Sequence, residues 1–480
     1  MGERPITRRP AKLQPKELTV PSDDMNSGSD LVRRCLFWWV VVLAGLAISA
    51  YLWVYLNGQL GHGFPYNTIV FIPRQRFLDF TSFYRPFEHF GTAQFRSGLG
   101  NYPAPAAYVY LLFFSLIPGH PSAAAVAYDA TIAGVACMAV GLIVFALRRN
   151  RLVAPVAAAL LLTLLTSYPL MFMADRANVE GAAWVAAILG MWAFARDQRG
   201  AAAFLFACAA AIKLAPLVLV FLFLRRRDWR NSMVFVGSFV AVNSLALWYA
   251  GPSVGQSLGT IMGGMRHLNH DAVLAYSGVQ MGVDHSLFSV VKQALLVVCY
   301  VAGTSRSFFL CMTDIAYYMY MCMWLVAAVV LVRRFRRMPM LNCIFAAFIV
   351  QLIAPPVSYD YTLLYLYIPW ALFLVVFLLQ DVYSGRAHLS FSTALAILIP
   401  CAITFTPQQC YLVIGGIGHT SSLGYSGHIG FAGQVKALAL LYLLVVAALN
   451  PMPCRIFGEA DGAEWRRQAA ISPPAGPGPV

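Results

Sequence analysis

Cys35-Leu-Phe-Trp-Trp-Val-Val-Val-Leu-Ala-Gly-Leu-Ala-Ile-Ser-Ala-Tyr-Leu-Trp-Val-Tyr-Leu56 runs for 22 residues without a charge. As an α-helix rising about 1.5 Å per residue, it covers the roughly 30 Å of a bilayer's hydrocarbon layer. Runs of this kind recur as far as Leu449. Lipid offers no partner to backbone N–H and C=O groups, and these segments are too long and too evenly apolar for barrel strands, so helices are the spanning form. The chain therefore reads as an all-α, polytopic transmembrane helical bundle.

Composition agrees with that reading. Of the 480 residues, 60% are hydrophobic and only 11% charged, against about 25% charged in a typical soluble domain. The net charge of +14 does not point to nucleic acid, because the basic residues sit in short knots beside apolar runs: Arg148 to Arg151, Arg196 to Arg199, Arg225 to Arg230 and Arg333 to Arg337. That placement follows the positive-inside rule. The ten cysteines lie mostly within apolar runs and show no metal-ligand spacing; they read as small hydrophobes.

Residues 1–34 read as a disordered cytoplasmic tail, 35–450 as the membrane domain and 451–480 as a second cytoplasmic tail. Arg33 and Arg34 before a run longer than a signal-peptide core mark an uncleaved anchor. About thirteen apolar segments follow one another: 35–56, 105–118, 123–147, 152–173, 177–195, 201–224, 231–250, 286–303, 308–332, 340–358, 361–380, 389–406 and 433–450. Strict alternation would put two of the basic knots outside. The conflict vanishes if 105–118, 201–224 and 286–303 do not each cross once, and prolines or lysines border or interrupt these three. About ten crossings remain. Both termini and all four knots are then cytoplasmic, and the loops holding Asp79, His285 and Asp360 face outside.

On that outer face lie the residues able to do chemistry. Asp79 sits among Phe80, Phe83, Tyr84 and Phe87, spaced like an interfacial helix near the headgroups. Ionised at neutral pH, its carboxylate can take a proton from a bound hydroxyl; alternatively it caps a helix or pairs with Arg74, Arg76 or Arg85. Asn101-Tyr102-Pro103-Ala-Pro105 is a φ-restricted approach to the next segment. Asp175-Arg176-Ala-Asn178-Val-Glu180 places polar groups at the outer end of a hairpin. Arg176 there can grip a phosphate, or these residues form surface pairs. Lys213 in an apolar run costs about 2.5–3.5 kcal/mol near a bilayer centre, so with Pro216 beside it the expectation is a broken helix lining a cavity, snorkelling being the alternative. His267-x-x-His270-Asp271 is too sparse for a zinc site, and neither a metal nor a cofactor is assigned. Pro355 to Tyr361 presents Tyr359, Asp360 and Tyr361 at a helix end. Phosphate-loop and zincin motifs are missing, and so is an Asp-x-Asp.

Asp79 followed by aromatics, then Tyr102-Pro-x-Pro, Arg176-x-Asn178, Ala211-Ile-Lys213-Leu-x-Pro216 and Pro355-Pro-Val-Ser-Tyr-Asp-Tyr361, in this order over about residues 35–380, resembles the polyprenyl-phosphate-mannose-dependent mannosyltransferases of the GT-C superfamily. The resemblance implies a GT-C-like bundle with interfacial helices in its first outer loop. It implies Asp79 as general base, Lys213 and Arg176 near the donor phosphate, and His285-Ser-Leu as the central-loop motif. Pro355, Tyr359 and Asp360 stand where the family's late motif has a Ser, a Trp and a His. The substrate-binding set is then Tyr84, Tyr102, Arg176, Asn178, Lys213, His285, Tyr359, Asp360 and Tyr361. The implied reaction is an inverting transfer of a hexose, mannose by resemblance, from a polyprenyl-phosphate donor to a lipid or envelope-glycan acceptor at the outer face of a bacterial plasma membrane. A lipid or glycan flippase and a non-catalytic partner in envelope-glycan assembly are the other readings of the same charges.

Overall fold

The computed structural model describes residues 76–88, 102–147, 153–225, 227–250, 253–268, 284–378, 391–406 and 431–452. The anchor at 35–56, the tail 1–34, the Arg148 to Arg151 knot, His270 and Asp271, and nearly all of the second tail lie outside these residues. Every regular element among the described residues is helical. Among the described residues, four helices are long and apolar enough to cross a membrane: Pro121–Phe145, Trp229–Ala250, Arg306–Phe335 and Ala432–Leu449. Other described apolar segments form shorter helices.

Two kinds of apolar helix are present, and their surroundings explain the difference. All residues of Met340–Ile353 are buried, so this helix runs through the middle of the bundle. Trp229–Ala250 and Arg306–Phe335 instead leave Trp248, Met319 and Leu325 about 70% exposed. Apolar faces of that extent are unsuited to water and fit a lipid boundary.

The interruptions expected from sequence occur where the prolines fall. Arg199–Ile212 ends at Lys213, which is extended at φ −141°, ψ 130°, and the chain resumes as a 3-10 turn over Ala215–Leu219 before Val220–Arg225. Pro216 has no N–H to donate to Ile212 O and its ring would clash with that carbonyl, so the helix stops at Ile212. The 152–173 segment, expected as one continuous span, is also split, into Val153–Thr166 and Tyr168–Arg176, with Ser167 extended ahead of Pro169.

The helix Ala432–Leu449 shows that Arg225 and Arg334, from two of the basic knots, lie at the end of the bundle opposite the polar site. Near its N-terminus, Lys436 meets Asp360. Past its C-terminus, Asn342 Nδ2 donates to Ala447 O and Asn450 O, and Arg334 reaches Ala448 O. From Lys436 to Asn450 is about 20 Å along a helix. Arg225, which donates to Met338 O, belongs to the Arg334 end.

The first outer loop contributes two short helices, Leu78–Thr81 and Tyr84–Glu88. The expected placement of their aromatics near headgroups needs correction. Phe80 is fully buried, its ring 4.7–5.6 Å from those of Tyr110, Phe114 and Tyr128. Burying the ring against Ala104–Leu116 and Pro121–Leu147 removes more apolar surface from water than an interfacial position would. The loop is thus pinned to the bundle.

Candidate active site

Two tight turns create the site. Phe77, just before Leu78–Thr81, and Ala177, just after Tyr168–Arg176, both adopt left-handed conformations, with φ 58° and 46°. Such geometry is strained for residues with a side chain and persists where surrounding contacts enforce it. Here they do: Phe77 N donates to Asp175 O at 2.7 Å, and Tyr110 OH donates to Ala177 O while accepting from Val179 N. Tyr128 OH donates to Asn178 O and accepts from Ala182 N. The turns are locked to each other and to two helices.

This locking brings Asp79, Arg176 and Asn178 together. Arg176 Nη2 lies 2.8 Å from Asp79 Oδ1, and Asn178 Nδ2 donates to Asp79 Oδ2 at 2.7 Å. Asn178 cannot be turned around, because its Oδ1 accepts from Glu180 N at 2.9 Å. Among the described residues, the partners of Asp79 are Arg176 and Asn178, and its side chain makes no cap bond; Arg74 lies outside these residues. Asp175 and Glu180 do not lie at the surface, as the alternative reading had them: both are buried.

Lys213 faces the same space. Its Nζ is 3.5 Å from Glu180 Oε2, 4.6 Å from the centre of the Tyr102 ring and 5.9 Å from that of Tyr361. The Tyr361 ring stacks on Phe172 and neighbours Tyr359. Tyr84 stands apart from this group, packed on Phe87 and Phe114. The four charges of Asp79, Arg176, Glu180 and Lys213 cancel in pairs.

Below Glu180, one helical turn along, begins an apolar cavity of about 380 Å³. Trp184, Ile188, Met191, Tyr367, Trp370 and Ala371 are among its walls.

His285 and Asp360 fall in a second, deeper cluster. Asp284 Oδ1 accepts from the backbone N–H groups of Ser286 and Ser358, His285 N donates to Ser358 O, and Ser286 Oγ donates to Pro356 O. These bonds staple the central loop to the Pro355–Tyr361 turn. Gly433 lies against the Asp284 backbone so closely that a Cβ there would overlap it. Asp360 Oδ2 meets Lys436 Nζ at 2.6 Å, Asp360 Oδ1 lies 3.4 Å from His285 Nδ1, and His285 Nε2 is within 3.1 Å of Ser358 Oγ and Thr362 Oγ1.

Burial dominates the electrostatics of this cluster. It pushes Asp284 up to about 6, against the opposing pull of the Ser286 and Ser358 N–H groups and Lys292. It also lowers His285 below the ordinary imidazole value despite Asp360. Burial would raise Asp360 too, but Lys436 and His285 together outweigh it and hold this carboxyl below the usual range.

Sequence reasoning missed Glu180 as a buried partner and Lys436 altogether. The signal for Lys436 was there: like Lys213, it is a lysine in an apolar run, where an ammonium needs a partner.

A bundle whose described elements are all helical, with lipid-facing apolar helices and with buried and part-buried charges gathered at the end opposite Arg225 and Arg334, defines an integral membrane protein with a polar site near one membrane surface. Residues 101–358 match the model of Glycosyltransferase family 87, more than half of the chain, which therefore belongs to that family and is a membrane glycosyltransferase. Tyr102, Arg176, Asn178, Lys213 and His285 lie within the match, Asp79 before it, and Tyr359, Asp360, Tyr361 and Lys436 after it. No curated protein matches the chain.

Proposed function

We propose that this glycosyltransferase transfers a hexose, mannose by resemblance, from a polyprenyl-phosphate sugar to a lipid or envelope-glycan hydroxyl at the extracytoplasmic face of a bacterial plasma membrane, with inversion. The observation carrying the proposal is the pair of bonds that Arg176 and Asn178 make to the two oxygens of Asp79. They fix the carboxylate's direction while each oxygen keeps a further lone pair for an acceptor hydroxyl. Asp79 takes the hydroxyl proton as that oxygen attacks the anomeric carbon, and the lipid phosphate departs from the opposite face of the sugar.

The charge balance suits such a donor. A phosphodiester brings one negative charge to a site whose own charges cancel. The Lys213 ammonium, with three donors and only Glu180 within ion-pair distance among the described residues, is the group available to meet it. Tyr102 and Tyr361 flank that position, and Tyr359 adjoins it. The cavity below Glu180 is the groove we assign to the polyprenyl tail. Tyr84, remote from Lys213, keeps at most a peripheral contact in this reading.

The test is turnover by detergent-purified protein offered a panel of polyprenyl-phosphate sugars with membrane lipid acceptors. Transfer from one member of the panel, with inverted anomeric configuration in the product, is the expected result. Transfer from a nucleotide sugar alone would overturn the proposal.

A further inference from the structure

Lys436 stands in the first turn of the last helix, beyond the family match, and its side chain has no exposure. It holds one oxygen of Asp360, and the other oxygen faces His285 Nδ1 at 3.4 Å. Both atoms of that second contact are buried, and at 3.4 Å each is the nearest polar partner that the other has among the described residues, neither making a hydrogen bond there. An imidazole nitrogen facing a carboxylate oxygen carries the proton, because two lone pairs would otherwise repel. Nε2 of the neutral ring is then an acceptor. Thr362 Oγ1 directs its hydrogen to Tyr359 O at 2.9 Å, which leaves Ser358 Oγ, 3.0 Å away, as the donor to Nε2.

The charged groups facing this imidazole from the elements packed on it are Asp360, from the 3-10 turn Asp360–Leu366, and Lys436, from Ala432–Leu449. On its own segment are Asp284 and Lys292, which interact with each other. Lys436 thus competes with the imidazole for the charge of Asp360. Without Lys436, a second proton on His285 is the nearest replacement for the lost positive charge. That proton would occupy Nε2, abolish its acceptor role and loosen the bond to Ser358. Ser358 begins the turn that ends at Tyr361, beside Lys213.

We propose that Lys436 is a positioning residue for sugar transfer: by holding Asp360 it keeps His285 as the Nδ1-protonated neutral tautomer, which in turn holds the Ser358–Tyr361 turn against the site. The role in transfer rests on the function proposed above, whereas the tautomer is readable without substrate.

The experiment is ¹⁵N NMR of the full-length, histidine-labelled protein in detergent, with the His285 signal assigned through His285→Gln. Wild type should show an Nδ1-protonated neutral ring at about pH 7. Lys436→Met should show the imidazolium, and Asp360→Asn/Lys436→Met, which removes the charges together, should return a neutral ring. In the transfer assay, the acidic limb of the pH profile should move up by about one pH unit or more in Lys436→Met and return in the double variant. A stabilising role alone would lower the melting temperature without moving that limb. An unchanged His285 spectrum in Lys436→Met overturns the proposal even if no donor supports turnover. If Lys436→Met does not fold, Asp360→Asn decides: retention of the Nδ1-protonated tautomer there overturns the proposal, and its loss supports it. Absence of turnover on every donor would count against the transfer reaction and leave the tautomer result standing by itself.

Discussion

Arg176 Nη2 lies 2.8 Å from Asp79 Oδ1, joining residues 97 positions apart, with the two side chains 12% and 17% exposed. Burial of this degree makes the pair stronger than a surface ion pair while leaving the carboxylate open to a ligand. Asp79→Asn keeps the shape but cannot accept a hydroxyl proton. Transfer should fall about 10²–10⁴-fold with little change in donor affinity, and stability should drop by about 1–3 kcal/mol as a charged hydrogen bond is lost. Turnover measured below the melting range of both proteins checks this; near-normal transfer would remove Asp79 as the base.

Asn178 offers a sharper electrostatic test. Asn178→Asp can still accept from Glu180 N but sets a second carboxylate against Asp79 Oδ2, where Asn178→Ala leaves only a gap. Two carboxylates sharing a site favour protonation of one of them. At neutral pH the Asp variant should transfer more slowly than the Ala variant, and the gap should narrow as pH falls from about 7 to about 5. Paired pH–rate curves would show it, and parallel curves would argue against close contact.

For Lys213, two roles can be separated by a double variant. Lys213→Met should weaken donor binding about 10–100-fold and destabilise the protein, because Glu180 is left buried without its cation. Adding Glu180→Gln should restore the melting temperature without restoring donor affinity. If affinity also recovers, Lys213 serves to neutralise Glu180 and does not touch the phosphate.

His285 gives a stability prediction whose sign follows from its burial. Its folded-state value is lowered, so below the ordinary value the unfolded chain binds a proton that the folded chain does not. Its contribution to stability is therefore complete above about 6.5 and is lost as pH falls below that. The melting-temperature difference between wild type and His285→Gln should shrink between about pH 7.5 and about pH 5.5. A constant difference would mean that the ring does not stay neutral in the folded protein.

Orientation can be read from the exposed residues at the two ends. In a cysteine-free background, Glu88→Cys near the site should react with a membrane-impermeant reagent in intact cells, and Arg336→Cys in the basic knot should not. The reverse pattern would place the site on the cytoplasmic side.

The sequence by itself determined that the chain is a helical membrane bundle, because length and apolarity of a segment are local properties that act through transfer from water to lipid, residue by residue. It also located the break at Lys213 beside Pro216, since the effect of proline on its own backbone needs no distant partner, but it read 152–173 as one segment where the chain breaks ahead of Pro169. It singled out Asp79, Arg176 and Lys213 as charges in costly places. Which charge meets which was decided only by the tertiary structure. From sequence, Arg74, Arg76 and Arg85 were the ion-pair partners considered for Asp79, whereas two left-handed turns clamped by Tyr110 and Tyr128 deliver it to Arg176 and Asn178. Lys436 and Asp360 are 76 positions apart, and no periodicity in either segment encodes their meeting. Helix packing brings them together inside the bundle, where little water screens the charges, so contacts of a few ångströms outweigh any preference written along the chain.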